Sequence, residues 1–304
     1  MPVDNHPTAA SQSAFRSRRA AARTSRIWPK DMLALHFFFA NGTDAQKNTV
    51  RKYILGRNYD DTWNGTRPKD IVFPLPGKYH DVWGAFMGIP WVEVFSDKGK
   101  GASEAQVRIR FNTGSDWRSD YVSGPTSEPG HHHFVVYMDL TSKQGMAEYE
   151  SKPKGQALSE ETKINIEKEN RGLILHELGH VLGLIHEHQR PDLKVPWRAE
   201  EDVKRWYNTY WGWDPNNVKP NITSSIDPVD IDLVHATVYD PESIMHYVVP
   251  RDVLCQNIED SKVSERDPHW VKYVLKQPVP KQNTELSVKD KEWVAATYPR
   301  KDSA

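Results

Sequence analysis

Residues 176–190 read HELGHVLGLIHEHQR, four histidines and two glutamates in a run otherwise built of Leu, Ile, Val and Gly up to the closing Gln189 and Arg190. Such a run reads as a buried helix, and its titratable groups are surface decoration, a satisfied polar core, or ligands for a metal. His176 and His180 are four residues apart, so a helix places them on one side, a turn from each other. Two imidazoles in that arrangement reach one metal ion at about 2.0–2.1 Å. Glu177 lies about 100° round the helix from His176, beside the ion rather than on it, which suits a general base acting on metal-bound water. HExxH alone is only moderately specific, because His and Glu also meet on exposed helices.

Gly183 and His186 sharpen the reading. On an uninterrupted helix His186 would lie about 15 Å along the axis from His176 and about 80° off its face, out of reach of a shared ion. Glycine tolerates the left-handed conformation that ends helices, so a turn at Gly183 can bring His186 back as a third ligand. Three histidines with one open position is the pattern of a catalytic zinc site, whereas structural sites are closed by a fourth protein ligand.

The rest of the composition narrows the class. The chain has 304 residues, 38% hydrophobic and 27% charged, with formal net charge −1. That is enough for a well-developed core, and it gives no global field toward nucleic acid or an acidic membrane. The single cysteine, Cys255, permits no intrachain disulfide. No apolar run has transmembrane length. Residues 1–26, rich in Arg, Ala and Ser, lack the apolar stretch of a signal peptide and are expected to form a basic, disordered tail, with one catalytic domain over 27–300.

Within that domain, strands are expected at 32–40, 89–95, 105–111 and 132–140. In 105–111, Val107, Ile109 and Phe111 face one way and Arg108 and Arg110 the other. A helix should start from a cap at Thr43 or Asp44, and 57–80 reads as loop. Helical periodicity returns over 159–183, with Ile174, Leu178, Val181 and Leu182 on one stripe. The region 191–285 reads as mostly irregular, with a helix near 198–210. A last helix is capped by Ser287 and stopped by Pro299.

The motif HExxHxxGxxH followed by a Met-turn is that of the metzincin metalloproteases. HELGHVLGLIHEHQRPD (176–192) with YDPESIMHY (239–247) resembles the astacin branch of these zinc endopeptidases, with Glu187, Arg190 and Asp192 matching its extended form. VPW (195–197) and ELSVKDKEWVAATYP (285–299) resemble microbial members, and the likeness covers about Arg26 to Pro299. It implies an α+β fold: a twisted mixed sheet packed on the active-site helix, then an irregular C-terminal subdomain ending in a helix. It implies one catalytic Zn2+ held by His176, His180 and His186, with Tyr247 as an additional, switchable ligand. The expected activity is hydrolysis of internal peptide bonds of proteins by zinc-bound water, with Glu177 as general base and Tyr247 at the oxyanion.

Met245 is expected to pack beneath the histidines. Glu187 has two readings. It pairs with a new N-terminus after cleavage near RSRR (16–19), Arg23 or Arg26, making the tail a prosegment, or it fixes a neighbouring side chain. The strand AQVRIRF (105–111) resembles the family's edge strand over the cleft, where a peptide adds antiparallel, and its arginines would then favour acidic side chains. The expected partners are protein or peptide substrates, with no nucleic acid and no membrane span, acting as a monomer. Secretion is expected from the resemblance, although no signal peptide is visible.

The chain departs from the family in lacking disulfides and a recognisable prosegment aspartate. A catalytically dead peptide-binding scaffold is the rival reading, and loss of Glu177 or of a histidine would favour it; none is lost. His131–His133 read as a surface loop, Cys255 as a free or buried thiol, and Asn41, Asn64 and Asn221 as glycosylation sequons in a secretory route only.

Overall fold

The computed structural model describes residues 22, 26–29, 32–56, 81–94, 105–111, 118–123, 132–138, 140, 157–191, 193, 195–225, 239–254 and 282–300. The loop read at 57–80, the basic points at 16–19 and Arg23, and Asn64, His131, Asp192 and Cys255 lie outside them.

Five strands form one mixed sheet: β1 (Leu35–Phe39), β2 (Trp91–Glu93), β3 (Val107–Phe111), β4 (Arg118–Ser123) and β5 (His132–Met138), in the order β2-β1-β3-β5-β4. All neighbouring pairs are parallel except β4 on β5. Alternation sets the faces: Leu35, Phe37 and Phe39 are buried along β1, as are Val107, Ile109 and Phe111 along β3. Helix α1 (Asp44–Leu55) starts from a capping box in which Thr43 and Gln46 exchange hydrogen bonds, and it ends at Gly56. Its buried Arg51 grips Glu93 of β2 through two bonds of 2.8 and 2.7 Å, tying helix to sheet.

Helix α2 (Glu160–Val181) begins at Ser159, whose side chain accepts from Thr162 N–H. Its first half is exposed and charged, while Leu173, Ile174, Leu175, Leu178 and Val181 are buried. Each such side chain contributes about 1.5–3 kcal/mol on leaving water. Ile174, Leu175, Leu178 and Val181 share one core with Phe37, Val107, Ile109 and Met138 of the sheet and with Trp293 and Val294 of the last helix. Three aromatic donors cap carbonyls at the inner end of α2: Trp83 Nε1 to Leu175 O, Trp28 Nε1 to Val181 O, and Tyr298 Oη to Leu182 O, at 2.8, 2.8 and 2.7 Å.

Beyond α2 the chain builds a second, smaller core from Leu193, Val203, Tyr207, Val218, Ile222, Val249 and Leu254, with Tyr247 and Trp213 packed against it. Helix α3 (Glu200–Trp211) supplies Val203 and Tyr207. The last helix, α4 (Val288–Thr297), starts from a capping box of Ser287 and Asp290.

The α+β architecture is the expected one, with two corrections. AQVRIRF is not an edge: β3 lies between β1 and β5. Alternation reveals which face a residue takes, not which neighbours a strand has. The edge beside β5 is β4, which lacks the alternation that would announce a strand. Arg108 and Arg110 thus sit on an interior strand, and the expected acidic preference loses its basis. Second, Ala22, inside the segment read as tail, is fully buried and forms an antiparallel bridge with Leu184. His132 and His133 open β5, within the strand expected over 132–140 rather than in a surface loop.

Candidate metal centre

The helix carrying His176 and His180 stops where glycine allows it. Gly183 has φ +100°, a conformation L side chains rarely adopt, and a Cβ there would come within 3.2 Å of Arg26 O. The turn sends the chain back, and His186 joins the first two: ligand nitrogens of His176, His180 and His186 all lie within 4.8 Å of one another. The rings pack at 4.7 to 5.3 Å between centroids.

The hydrogen bonds decide what the nitrogens can do. His176 Nδ1 donates to Ile244 O at 2.8 Å, His180 Nδ1 to Leu184 O at 2.9 Å, and His186 Nδ1 to Gln189 Oε1 at 2.8 Å. Gln189 is itself fixed, since its Nε2 donates to Pro220 O and Ser224 O. Each ring has therefore placed its proton on Nδ1, and each Nε2 carries a lone pair. Among the described residues His176 Nε2 is buried without a partner, and the Nε2 atoms of His180 and His186 face each other at 3.1 Å. Two lone pairs at that distance repel, and a buried acceptor left unmade costs about 1–3 kcal/mol.

A proton does not fill the gap. Burial is the leading cause holding His176 down to about 4, against the pull of Ile244 O. His180 and His186 are pushed well below the usual imidazole value by burial first and neighbouring histidines second. A divalent cation would fill it. Ligands on a tetrahedral ion with bonds of 2.0–2.1 Å stand about 3.3 Å apart, close to the 3.1 Å found. Nitrogen-only ligation by neutral imidazoles suits zinc.

Behind the triad lies the Met-turn, Ser243–Tyr247. Met245 is fully buried, and its O accepts from Glu187 N–H at 3.0 Å. Its thioether lies against α2 so closely that a Cβ on Gly179 would overlap Sδ; glycine is needed there for close approach. Asp290, the capping residue of α4, reaches across to this turn. Its carboxylate accepts from Ser243 Oγ at 2.7 Å, Ile244 N at 2.8 Å and Ser287 N at 3.0 Å. Burial pushes Asp290 up to about 6 against these bonds.

Glu187 is fully buried. Its Oε1 accepts from Asp240 N at 2.8 Å and Arg190 Nη1 at 3.1 Å. Burial raises it to about 7, partly opposed by Arg190. Glu177 is 3% exposed, next to His176 in α2. The Tyr247 ring lies 4.1 Å from that of His186 and is nearly parallel to that of His176, at 5.3 Å and 8°. Burial first, then the charge of Glu177, hold the Tyr247 phenol well above its usual value.

His176, Glu177, His180, His186, Glu187, Met245 and Tyr247 thus gather in one place. Missed were Gln189, which orients His186, Asp290, which holds the Met-turn, and Gly179. His188 was also passed over: it is 2% exposed, donates from Nε2 to Asn221 O at 3.0 Å and stacks on Tyr247. Only Asp290 left a trace, as the third helical residue after the Ser287 cap.

Comparison with known proteins points the same way. The family model described as Astacin, a peptidase family, matches residues 152–267. An Astacin-like metalloendopeptidase of Mus musculus is 35% identical over 80 residues, which span 26% of this chain and 15% of the mouse protein's length. The solved structure of myroilysin shares the fold over 92% of this chain and 98% of that one, with TM-score 0.56 and 20% identity. Among the described residues no helix is long and apolar enough to cross a membrane.

Proposed function

We propose that this chain, an astacin-like zinc metallopeptidase of the metzincin type, hydrolyses internal peptide bonds of proteins with Glu177 as general base. The observation that carries the reading is the set of three imidazoles, each committed through Nδ1 and each turning a bare Nε2 inward. His176, His180 and His186 would hold the ion. Zinc, when bound, supplies a Lewis acid that polarises a carbonyl and makes water a nucleophile near neutral pH.

Glu177 follows His176 on the helix, so the same backbone that fixes a ligand fixes the base. Its carboxylate takes a proton from the attacking water and passes it to the leaving nitrogen. Tyr247, stacked on two of the histidines and keeping its proton, donates its O–H to the oxygen on which charge develops. Its phenol would also serve as an additional ligand to the ion. Met245 sets the floor by packing on Gly179. Glu187 braces the loop after His186 through Arg190 and Asp240; its Oε2 has no partner among the described residues and would accept a new amino terminus if the chain is cut near RSRR (16–19), which leaves the buried Ala22 in place. Intact-mass measurement of the active protein decides that point, and active protein still carrying Met1 argues against trimming.

Protein substrates bind extended. The β4 edge, next to α2 in the fold, offers main-chain groups to a peptide strand, which gives grip with little demand on sequence. The site needs no residue from a second copy, so the chain acts as a monomer.

The test is digestion of an unfolded protein such as casein by the zinc-loaded chain, with Glu177→Ala alongside and products read by mass spectrometry. Cleavage at internal bonds by the wild type alone is expected. Zinc bound in both and cleavage by neither would favour a binding scaffold instead.

A further inference from the structure

Helix α3 buries Val203 and Tyr207 and leaves aromatic rings at its other flank. Tyr210 is 69% and Trp211 39% exposed, while Trp206 and Trp213 are half-buried. Exposed aromatic surface of this kind marks a place where something docks. The rings form one connected set. Trp206 lies 5.0 Å from Tyr210 and 5.7 Å from Trp211 between centroids, and Trp211 lies 6.4 Å from Trp213.

The set does not end at the surface. After Trp211 the chain turns at Gly212, and Trp213 is folded back by two bonds: its N–H donates to Tyr207 O at 3.3 Å and its O accepts from Asn208 Nδ2 at 2.9 Å. In that position the Trp213 ring meets Tyr247 edge-on at 6.2 Å, and Tyr247 packs on His186 at 4.1 Å. An apolar wall thus runs from the metal-binding histidines to solvent, with Trp211 three ring-to-ring steps from His186. No step exceeds 6.4 Å, so an extended chain rising about 3.3 Å per residue covers the distance in about five residues.

We propose that Trp211, Trp213 and Tyr210 form a specificity subsite that receives an aromatic or bulky aliphatic side chain of the substrate, within about five residues of the scissile bond. The occupant is a side chain of the peptide being cut, because the wall is continuous with the place where that peptide must lie. Continuity with the histidines is what separates this patch from the other exposed apolar side chains, Leu33, Ile164 and Val288, which none of these ring contacts joins to the site. The proposal rests on the endopeptidase reading for the position of the scissile bond, and it names the substrate class: apolar or aromatic segments of unfolded protein.

The experiment uses the full zinc-loaded chain with Glu177→Gln, which holds peptides without cutting them. The probes are fluorescein-labelled peptides rich in Ala and Ser, each with one phenylalanine moved along the sequence, and the readout is Kd by anisotropy. One or two phenylalanine positions should bind about tenfold tighter than the parent peptide. Trp211→Ala should abolish that advantage and Trp211→Phe retain most of it, with zinc content and thermal unfolding confirming that each variant is folded. No phenylalanine position with an advantage, or an advantage that survives both Trp211→Ala and Trp213→Ala, overturns the subsite. So does a concentration-dependent dimer that Trp211→Ala dissolves, with no peptide preference. Wild-type protein that cuts none of these peptides while the phenylalanine advantage persists would remove the endopeptidase reading and support the subsite as a binding surface.

Discussion

The metal centre rests on two supports of different kinds. In front is α2, held by aliphatic side chains against the sheet and supplying His176, His180 and Glu177. Behind is the Met-turn, held by a buried carboxylate from α4 and supplying the carbonyl that orients His176. In the proposed mechanism the front carries the chemistry and the back aims it. Apolar packing is forgiving of exchange at similar volume, whereas a buried polar network works only when every partner is present. The two supports should therefore fail differently.

Glu177→Gln removes the proposed base and keeps the size of the side chain. Turnover should fall about 10²–10⁴-fold while zinc content and unfolding temperature hold, as peptide kinetics and metal analysis will show. Next in size is Gln189→Leu, which removes the acceptor of His186 Nδ1–H and frees the ring to turn. Loss of such an outer partner weakens zinc binding about 10–100-fold, readable by competition with a chromophoric chelator, with little change in the fold.

Gly179→Ala presses the two supports apart, since the added methyl meets the thioether of Met245. A loss of about 1–3 kcal/mol is expected in denaturant unfolding, and Met245→Ala in the same chain should relieve the clash. Subtlest is the pH response of the rear support. Burial raises Asp290 to about 6 from 3.8, so the folded state binds this proton more readily than the unfolded one. Its contribution to stability is highest below about pH 4 and declines as pH rises toward about 6. Asp290→Asn should flatten stability across that window, and an unchanged slope would place the charge elsewhere.

The contrast also explains what the sequence disclosed. The front support is local: a 3.6-residue apolar stripe, two histidines a turn apart, and Gly183 to end the helix, all within one helix and the turn that follows it. Periodicity and turn chemistry suffice for that. The back support joins Ser243 and Ile244 to Asp290, 47 and 46 residues on, and no local pattern encodes a pairing that only the folded chain makes. Strand order failed for the same reason. Val107, Ile109 and Phe111 told which face of β3 is buried, but the position of β3 between β1 and β5, and β4 at the edge, follow from the neighbours. Gln189 carries no local signal of its role, because the carbonyls that fix its amide belong to Pro220 and Ser224.

The central claim is that three imidazoles are locked to offer Nε2 to one zinc ion, and zinc titration of the metal-free chain by calorimetry tests it most directly. The account predicts one ion per chain, with binding collapsing in His176→Ala, in His180→Ala and in His186→Ala alike while circular dichroism shows the fold retained. Undiminished binding in the folded His186→Ala protein would contradict it, because the turn at Gly183 would then bring no ligand to the metal.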